Sequence, residues 1–422
     1  MKLLVRIFIF VALFTAFPAF CEDKDSILTL TNALQKAIKH SPAIKAAQAK
    51  VSIATGELQQ SKLWPNPTLA LGYDKLGGNK EFAGTREIES ELKLQQEIIT
   101  AGKLSKESRI AAIKHKIAII EQEIAKLNVK LEVTKKFIRL KILQSSLTTE
   151  KKFTELAQKN ADAITRKMEA GEIPPIAQTR AQIRLAAAQS RYKMLKRELQ
   201  TAKIELSSEW GLTAPDFAMV ADSNLASYTL DSLITSQETL MAEHPEVKLA
   251  GALIELSEAE KSLEKAKTTP DFEIEAGITK ERNNRKHFYF AEVRFPLPVF
   301  NRNQGKIKAA EAHVTETGHN LKQVCLRVKT RLLELIEELH AVREERNSIE
   351  TVLLPGAELS HQQMQQAFNQ GETELTELFD ATKVFLEAQN LYNQTLAEEL
   401  RIFTKICLHT NQENQLFETC SD

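Results

Sequence analysis

Cysteine and histidine supply many nucleophiles and most transition-metal ligands, and here their spacing builds neither. Of the four cysteines, at positions 21, 325, 407 and 420, no pair has the close spacing of a zinc or redox motif. Cys325 and Cys407 sit in apolar, helical stretches and are expected to pack as small hydrophobes. Nothing in the sequence supports a disulfide to Cys420. The nine histidines are scattered, and His319, His340 and His361 lie on helical stretches too far apart to pair as ligands. There is no phosphate-binding glycine loop, no H-E-x-x-H and no G-x-S-x-G. The expectation is a protein that is not an enzyme, with no catalytic residue, no cofactor and no metal site. The chemistry left is that of charge and apolar periodicity, so the elements carrying those patterns come next.

Charge is high but balanced, with 56 Lys+Arg against 56 Asp+Glu in 422 residues. Zero net charge argues against a nucleic-acid binder, which would carry a basic excess. Aromatics are only 6%, and Glu, Lys, Ala, Leu, Gln and Ile dominate, as in long helices and coiled coils. Residues 1–21 read as a signal peptide. Lys2 and Arg6 form a positive start, Ile7 to Phe17 a short apolar run, and Ala19-Phe20-Cys21 an A-x-A-like cleavage site. Lipidation of Cys21 is the rival reading, though Phe20 stands where a lipoprotein signal prefers a small residue. Beyond this segment no run of about 18 or more apolar residues exists, so a membrane-spanning part would have to be a β-barrel.

The chain repeats itself. Ser41-Pro42-Ala43-Ile44-Lys45 resembles His244-Pro245-Glu246-Val247-Lys248, Pro67 matches Pro270, and Gly102-Lys103-Leu104 matches Gly305-Lys306-Ile307, each 203 positions apart. Gly171-Glu172 matches Gly371-Glu372, and Ala188-Gln189 matches Ala388-Gln389, both 200 apart. Five ordered matches point to internal duplication. The change in offset predicts a three-residue deletion inside the long helix of the second half, nearly one helical turn. The expected division is repeat 1 over 22–212, a linker over 213–231, repeat 2 over 232–410 and a tail over 411–422. Within the repeats, strand pairs are expected near 67–99 and 270–297, and long helical hairpins near 103–209 and 305–408.

In both strand regions the apolar period switches to two. Leu69, Leu71 and Tyr73 alternate with Thr68, Ala70 and Gly72. Ile88, Leu92 and Leu94 alternate with Glu89, Glu91, Lys93 and Gln95. Phe272, Ile274, Ala276 and Ile278 alternate with Glu273, Glu275 and Gly277. Tyr289, Ala291, Val293 and Phe295 alternate with Phe290, Glu292 and Arg294. Each run is about 9–11 residues, the length of a tilted transmembrane strand. Two surface hairpins on a soluble protein are the plain alternative. Against it stand the many charges on the polar faces, which suit a water-filled lumen, and the lack of other sheet-forming sequence to pack on. Four strands cannot close a barrel, so a lipid-facing reading requires several copies to pool them.

From Lys103 to about Met168 there is neither Pro nor Gly. Ile110, Ile113, Ile117, Ile120 and Ile124 recur at helical steps. At about 1.5 Å per residue such a helix is roughly 100 Å long, which implies a coiled coil, fibre or tunnel. Its counterpart runs from Gln304 towards Gly371, and Pro355-Gly356 is expected to kink or break it. Gly171 and Gly371 suit left-handed helix ends, and Pro174-Pro175 suit the first turn of a return helix. Both tips are expected at the end far from the strands.

This layout resembles the TolC-type outer-membrane efflux proteins. Gln95-Gln96-Glu97-Ile98-Ile99-Thr100-Ala101-Gly102-Lys103 is similar to a strand-to-helix junction of that family. So is Phe295-Pro296-Leu297-Pro298-Val299-Phe300-Asn301-Arg302-Asn303-Gln304-Gly305, which is most like the branch serving cobalt–zinc–cadmium and copper–silver efflux. The resemblance runs from about Leu28 to His409. It implies a mainly α fold with a small β part: long helical hairpins forming a trimeric α-barrel tunnel, and four strands per chain in a 12-stranded transmembrane β-barrel. It implies a homotrimer in the outer membrane reaching into the periplasm, acting as passive exit duct for heavy-metal ions. Its implied partners are outer-membrane lipid, a periplasmic adaptor meeting the tips at Gly171, Glu172, Gly371 and Glu372, and an inner-membrane pump of the resistance-nodulation-division type. Matching from Gly371, the family's acidic constriction positions fall on Glu377 and Asp380. Positions where some members carry Tyr and Arg are Phe368 and Thr373 here, which leaves a Tyr/Arg latch without its side chains. The same fold would serve drug efflux or type I protein secretion. A periplasmic coiled-coil adaptor or spacer is the reading of a different class, but adaptors add strand-rich domains that this chain lacks.

Overall fold

The computed structural model describes residues 27–76, 88–221, 243–282 and 286–410. The signal-peptide reading, Cys21, Cys420, most of the 213–231 linker and the tail lie outside the described residues. Among the described residues no helix is long and apolar enough to cross a membrane.

A two-residue strand, β1 (Ile27–Leu28), opens the first half. Helices α1 (Leu30–His40) and α2 (Pro42–Gln60) lead from it into strands β2 (Thr68–Asp74) and β3 (Glu89–Ile98). Helix α3 then runs unbroken over Lys103–Glu169, 67 residues. At about 1.5 Å of rise per residue its length is roughly 100 Å. The chain returns as α4 (Pro175–Ser207) and reaches a second short strand, β4 (Met219–Val220). The second half has α5 (Pro245–Ala266) and strands β5 (Phe272–Glu281) and β6 (His287–Arg294). Its outgoing arm is α6 (Gln304–Ser348), a π-helical segment (Ile349–Leu353) and α7 (Leu354–Gln370), returning as α8 (Leu375–His409).

The second arm meets one expectation in part and departs from another. At Pro355-Gly356, expected to kink or break it, the α ladder is interrupted by a π segment but the helix is not broken. The wider π turn before the proline accommodates a residue that cannot donate a backbone hydrogen bond, and the helix continues. Nor is the arm shorter: Gln304–Gln370 equals Lys103–Glu169 in length. The deficit is made up at the ends. Gly102 caps α3 from outside, whereas Gly305 is already the second residue of α6. At the tip α7 continues up to Gly371, whereas Ala170 separates α3 from Gly171.

The longer strands form one antiparallel sheet in the order β2-β3-β5-β6, so the two halves meet at the β3–β5 pairing. Its register stacks Leu71, Leu92, Ile278 and Tyr289 in one row and Leu69, Leu94, Ala276 and Ala291 in the next. A second, two-stranded parallel sheet was not legible in the sequence: β1 pairs with β4. The start of the expected linker is therefore part of a core. Phe217 and Val220 pack with Leu30, Leu34, Val133, Phe137, Leu140, Leu206 and Trp210 about the middle of α3. Smaller clusters join α3 to α5 through Ile110, Ile113 and Leu263, and α6 to α8 through Leu335, Leu339, Ile402 and Phe403.

Candidate functional site

Two regions at opposite ends of α3 carry the features that bear on function. At one end is the sheet. Leu71 is 71% exposed and Tyr289 78% exposed, and Leu69, Tyr73, Leu94 and Val293 on the same face are open too. Burying such a face would stabilise it by roughly 25 cal/mol per Å², and within one chain nothing among the described residues does so. The opposite face is polar and internally paired. Lys93 bonds Glu275 at 3.1 Å, and Arg294 reaches Glu292 at 3.1 Å and Glu273 at 3.5 Å. Gly277 is required there: a Cβ on it would lie 2.6 Å from the Leu92 carbonyl oxygen and 2.7 Å from the Phe290 ring, which crosses over it. Strands β2 and β6 are the sheet's edges, and each has one side without a strand partner among the described residues.

The junction between sheet and helices is rigidly bonded. Ala101 and Gly102 take positive φ, 52° and 66°, and turn the chain sharply from β3 into α3. Glycine adopts that region without steric cost, so the strain of the turn falls on Ala101. Lys103 is buried and bonds Asp271 at 2.8 Å, and the Asp271 carboxylate also accepts from the Thr100 backbone N–H at 2.7 Å. Burial alone would raise the Asp271 pKa; the hydrogen bonds from Lys103 and Thr100 outweigh it and hold the carboxyl below its ordinary value. The equivalent turn before α6 is made by Asn303, with φ 61° and its side-chain amide donating to the Glu264 carbonyl at 2.8 Å.

At the other end are the tips. Gly171 and Gly371 adopt φ of 76° and 75°. In each turn the following glutamate's N–H bonds back into the last helical turn, Glu172 to the Lys167 carbonyl and Glu372 to the Ala367 carbonyl, both at 2.9 Å. This is the left-handed helix ending that satisfies otherwise orphaned carbonyls. Glu172 and Glu372 are exposed. The two tips stand side by side, linked by Lys167 and Glu374 at 3.8 Å. Above them on α8, Leu378 and Phe379 are buried, Phe379 against the first hairpin, where it meets Phe153 at 4.8 Å between ring centroids. That packing leaves Glu377 and Asp380 exposed, one turn apart. Glu377 accepts a hydrogen bond from Thr373. Asp380 pairs with Arg184 of α4 at 3.4 Å, and that guanidinium also stands 5.6 Å from the Phe379 ring centroid.

Arg184 was invisible to sequence reasoning, because a pair so distant in the chain leaves no local pattern. Glu150, nearby, was missed for the same reason. It is buried at the floor of the groove between α4 and α8. Burial raises its pKa, and Arg191 at 3.4 Å offsets only part of that. Phe368 and Thr373 stand beside the second tip, and their side chains cannot make a Tyr/Arg latch. Cys407 is fully buried and its thiol is pushed up to about 12 by burial; Cys325 is half-buried. Among the described residues no three His, Cys, Asp or Glu side chains group to hold a metal ion.

The family described as outer membrane efflux protein matches residues 33–212. The cobalt-zinc-cadmium resistance protein CzcC of Cupriavidus metallidurans is 24% identical over 392 residues, 92% of this chain and 91% of that protein. The nickel-cobalt-cadmium resistance protein NccC of Alcaligenes xylosoxydans xylosoxydans is 21% identical over 69% of this chain and 66% of its own. The Campylobacter jejuni CmeC outer membrane channel shares the fold with a TM-score of 0.77 at 14% identity, over 93% of this chain and 89% of that one. The first half of the chain thus matches the outer membrane efflux protein family, and the whole chain shares the fold of that channel.

Proposed function

We propose that three copies of this chain form an outer-membrane duct, the exit component of a tripartite pump that expels heavy-metal ions. The observation that carries this reading is the amphipathic four-stranded sheet with two open edges. In lipid an open edge leaves backbone N–H and C=O groups without partners, at several kcal/mol each, so the sheet must close. Three sheets joined edge to edge make a 12-stranded barrel. Their apolar rows then face lipid, and the Lys93–Glu275 and Arg294–Glu292 pairs line water. The hairpins continue the bore into the periplasm. The names of CzcC and NccC, both metal-resistance proteins, support metal ions as cargo.

In this reading the tips at Gly171, Glu172, Gly371 and Glu372 meet a periplasmic adaptor joined to an inner-membrane pump of the resistance-nodulation-division type. Glu377 and Asp380 become two stacked carboxylate rings at the narrow end. Such rings concentrate cations, and their mutual repulsion is relieved by protonation or by opening. Replacing both by Ala should raise single-channel conductance in planar bilayers and weaken block by divalent cations. Unchanged conductance would remove both residues from the constriction. Deleting the gene should sensitise cells to cobalt, zinc or cadmium; a strain as tolerant as its parent rules out that cargo.

A further inference from the structure

We infer that the mature chain carries no lipid, because its first strand lies too far from the bilayer for an acyl group on Cys21 to reach it. This rests on the duct reading above, which puts the four-stranded sheet in the membrane, and it makes that sheet the chain's own hold on lipid. Strand β1 sits at the middle of α3. Leu28 shares a cluster with Val133, Phe137 and Leu140, and it pairs with Val220 of β4. The Val220 N–H donates to Gln144 Oε1 at 2.8 Å, and Gln144 Nε2 donates to the Val220 carbonyl at 3.3 Å, which fixes the small sheet at that height. The large sheet stands at the start of α3, where Lys103 bonds Asp271 at 2.8 Å. At about 1.5 Å per residue, Lys103 and Leu140 are roughly 55 Å apart. The course of the chain agrees. It takes α1, α2 and the segment up to Thr68 to climb from Leu28 to β2, and on the way Lys50 of α2 stands 3.8 Å from Glu121 of α3.

From Cys21 to Leu28 a fully extended chain covers at most about 25 Å. The polar layer of a bilayer adds roughly 5–8 Å beyond the hydrocarbon on each side. The two together leave a gap of about 20 Å, more than a thioether and a glycerol can bridge. Freeing β1 does not close it, since Leu30 at the start of α1 is buried in the same cluster. An acylated Cys21 would have to draw α1 off as well, exposing Leu28, Leu30, Ala33, Leu34 and Ala37, each at 5% exposure or less. The residues before β1 point the same way. Phe20 stands where a lipoprotein signal prefers a small residue, and Ala19-Phe20-Cys21 has the small-x-small form of an ordinary cleavage site. Signal removal is then plain hydrolysis: water splits the Cys21–Glu22 amide, leaving a carboxylate on Cys21 and a free amine on Glu22. The strands alone hold the chain in the membrane.

The test is the intact mass of the full-length protein purified from outer membranes, with pore formation in planar bilayers measured on the same preparation. The expected result is a pore-forming chain that begins at Glu22 and bears no diacylglyceryl group. A pore-forming chain that begins with acylated Cys21 overturns the inference and leaves the duct standing. An acylated chain without pores overturns both. The reach is tested separately by Pro18→Leu with Phe20→Gly, which gives Cys21 the small preceding residue of a lipoprotein signal. That variant, acylated at Cys21, should show hydrogen exchange over residues 28–37 roughly tenfold faster than the parent, because the lipid draws β1 and α1 off their cluster. Inserting about 40 flexible Gly/Ser residues after Cys21 should restore the parent's protection, since such a linker spans the distance when extended. An acylated variant of native length whose residues 28–37 are as protected as the parent's overturns the inference.

Discussion

The outgoing arms of the two hairpins have the same length and different surroundings. Helix α3 is flanked on both sides and buries side chains from Ile110 to Ala161, including Phe137, Leu140 and Val133 at 0% exposure. Helix α6, a flank, buries only Thr317, Val328, Leu335 and Leu339. The unbroken helix is the central strut, and the interrupted one is the edge. A π turn and a proline are tolerated where fewer neighbours demand a regular surface.

The sharpest way to break this contrast is to remove volume from each arm. Phe137 is fully buried in a cluster with Leu30, Leu140 and Trp210. Phe137→Ala should cost about 3–5 kcal/mol, because the emptied site is held open by the helices around it. Leu333→Ala on the open flank should leave protomer stability within about 0.5 kcal/mol. Thermal unfolding of both variants in detergent checks the pair. Equal losses would mean that the α6 flank is covered within the protomer after all.

The same contrast explains what the sequence made legible. Strand pairs, long arms and left-handed tips were readable because each has a local signature: a period of two, a long stretch without Pro or Gly, and glycines at fixed offsets. The β1–β4 pair was not, since two residues cannot display a period and their partners lie far apart in the chain. Pro355-Gly356 was read as a kink or break; the regular ladder is interrupted just before it, by widened π turns that propensity alone does not specify. At the candidate constriction, Glu377 and Asp380 came from resemblance and were found exposed. Their neighbours Arg184 and Phe379 needed the packing of two hairpins, which no spacing along one helix encodes.

A smaller effect is expected just above the π segment. Glu399 of α8 accepts from Arg343 Nε and Arg346 Nε, each at 2.7 Å, and the three groups are mostly withdrawn from water. This pair of bonds fixes the edge arm to α8 where the helix is about to lose its regular ladder. Glu399→Gln removes the charge while keeping the shape. It should cost about 1–3 kcal/mol, since two guanidinium groups lose their anion. Hydrogen exchange should also rise over residues 349–353 but not over α3. Exchange rising equally in both arms would show that the clamp supports the whole layer and not its edge.

The smallest effect belongs to Glu150, where the central strut meets the groove between α4 and α8. Burial raises its pKa above the ordinary value of 4.5, so the folded protein holds the proton more tightly than the unfolded chain. The stability this contributes is fully present below that ordinary value and is lost as pH rises through the folded pKa. At neutral pH a carboxylate is being kept in a poorly solvated place, with only a mostly exposed Arg191 to compensate. Glu150→Gln should therefore stabilise the protein by under about 1 kcal/mol near neutral pH, with the gain vanishing in mild acid. Melting temperatures of the variant and parent across that range decide the sign. A variant less stable at neutral pH would mean that the Arg191 pair outweighs desolvation, and that the central arm depends on its charges as the edge arm does.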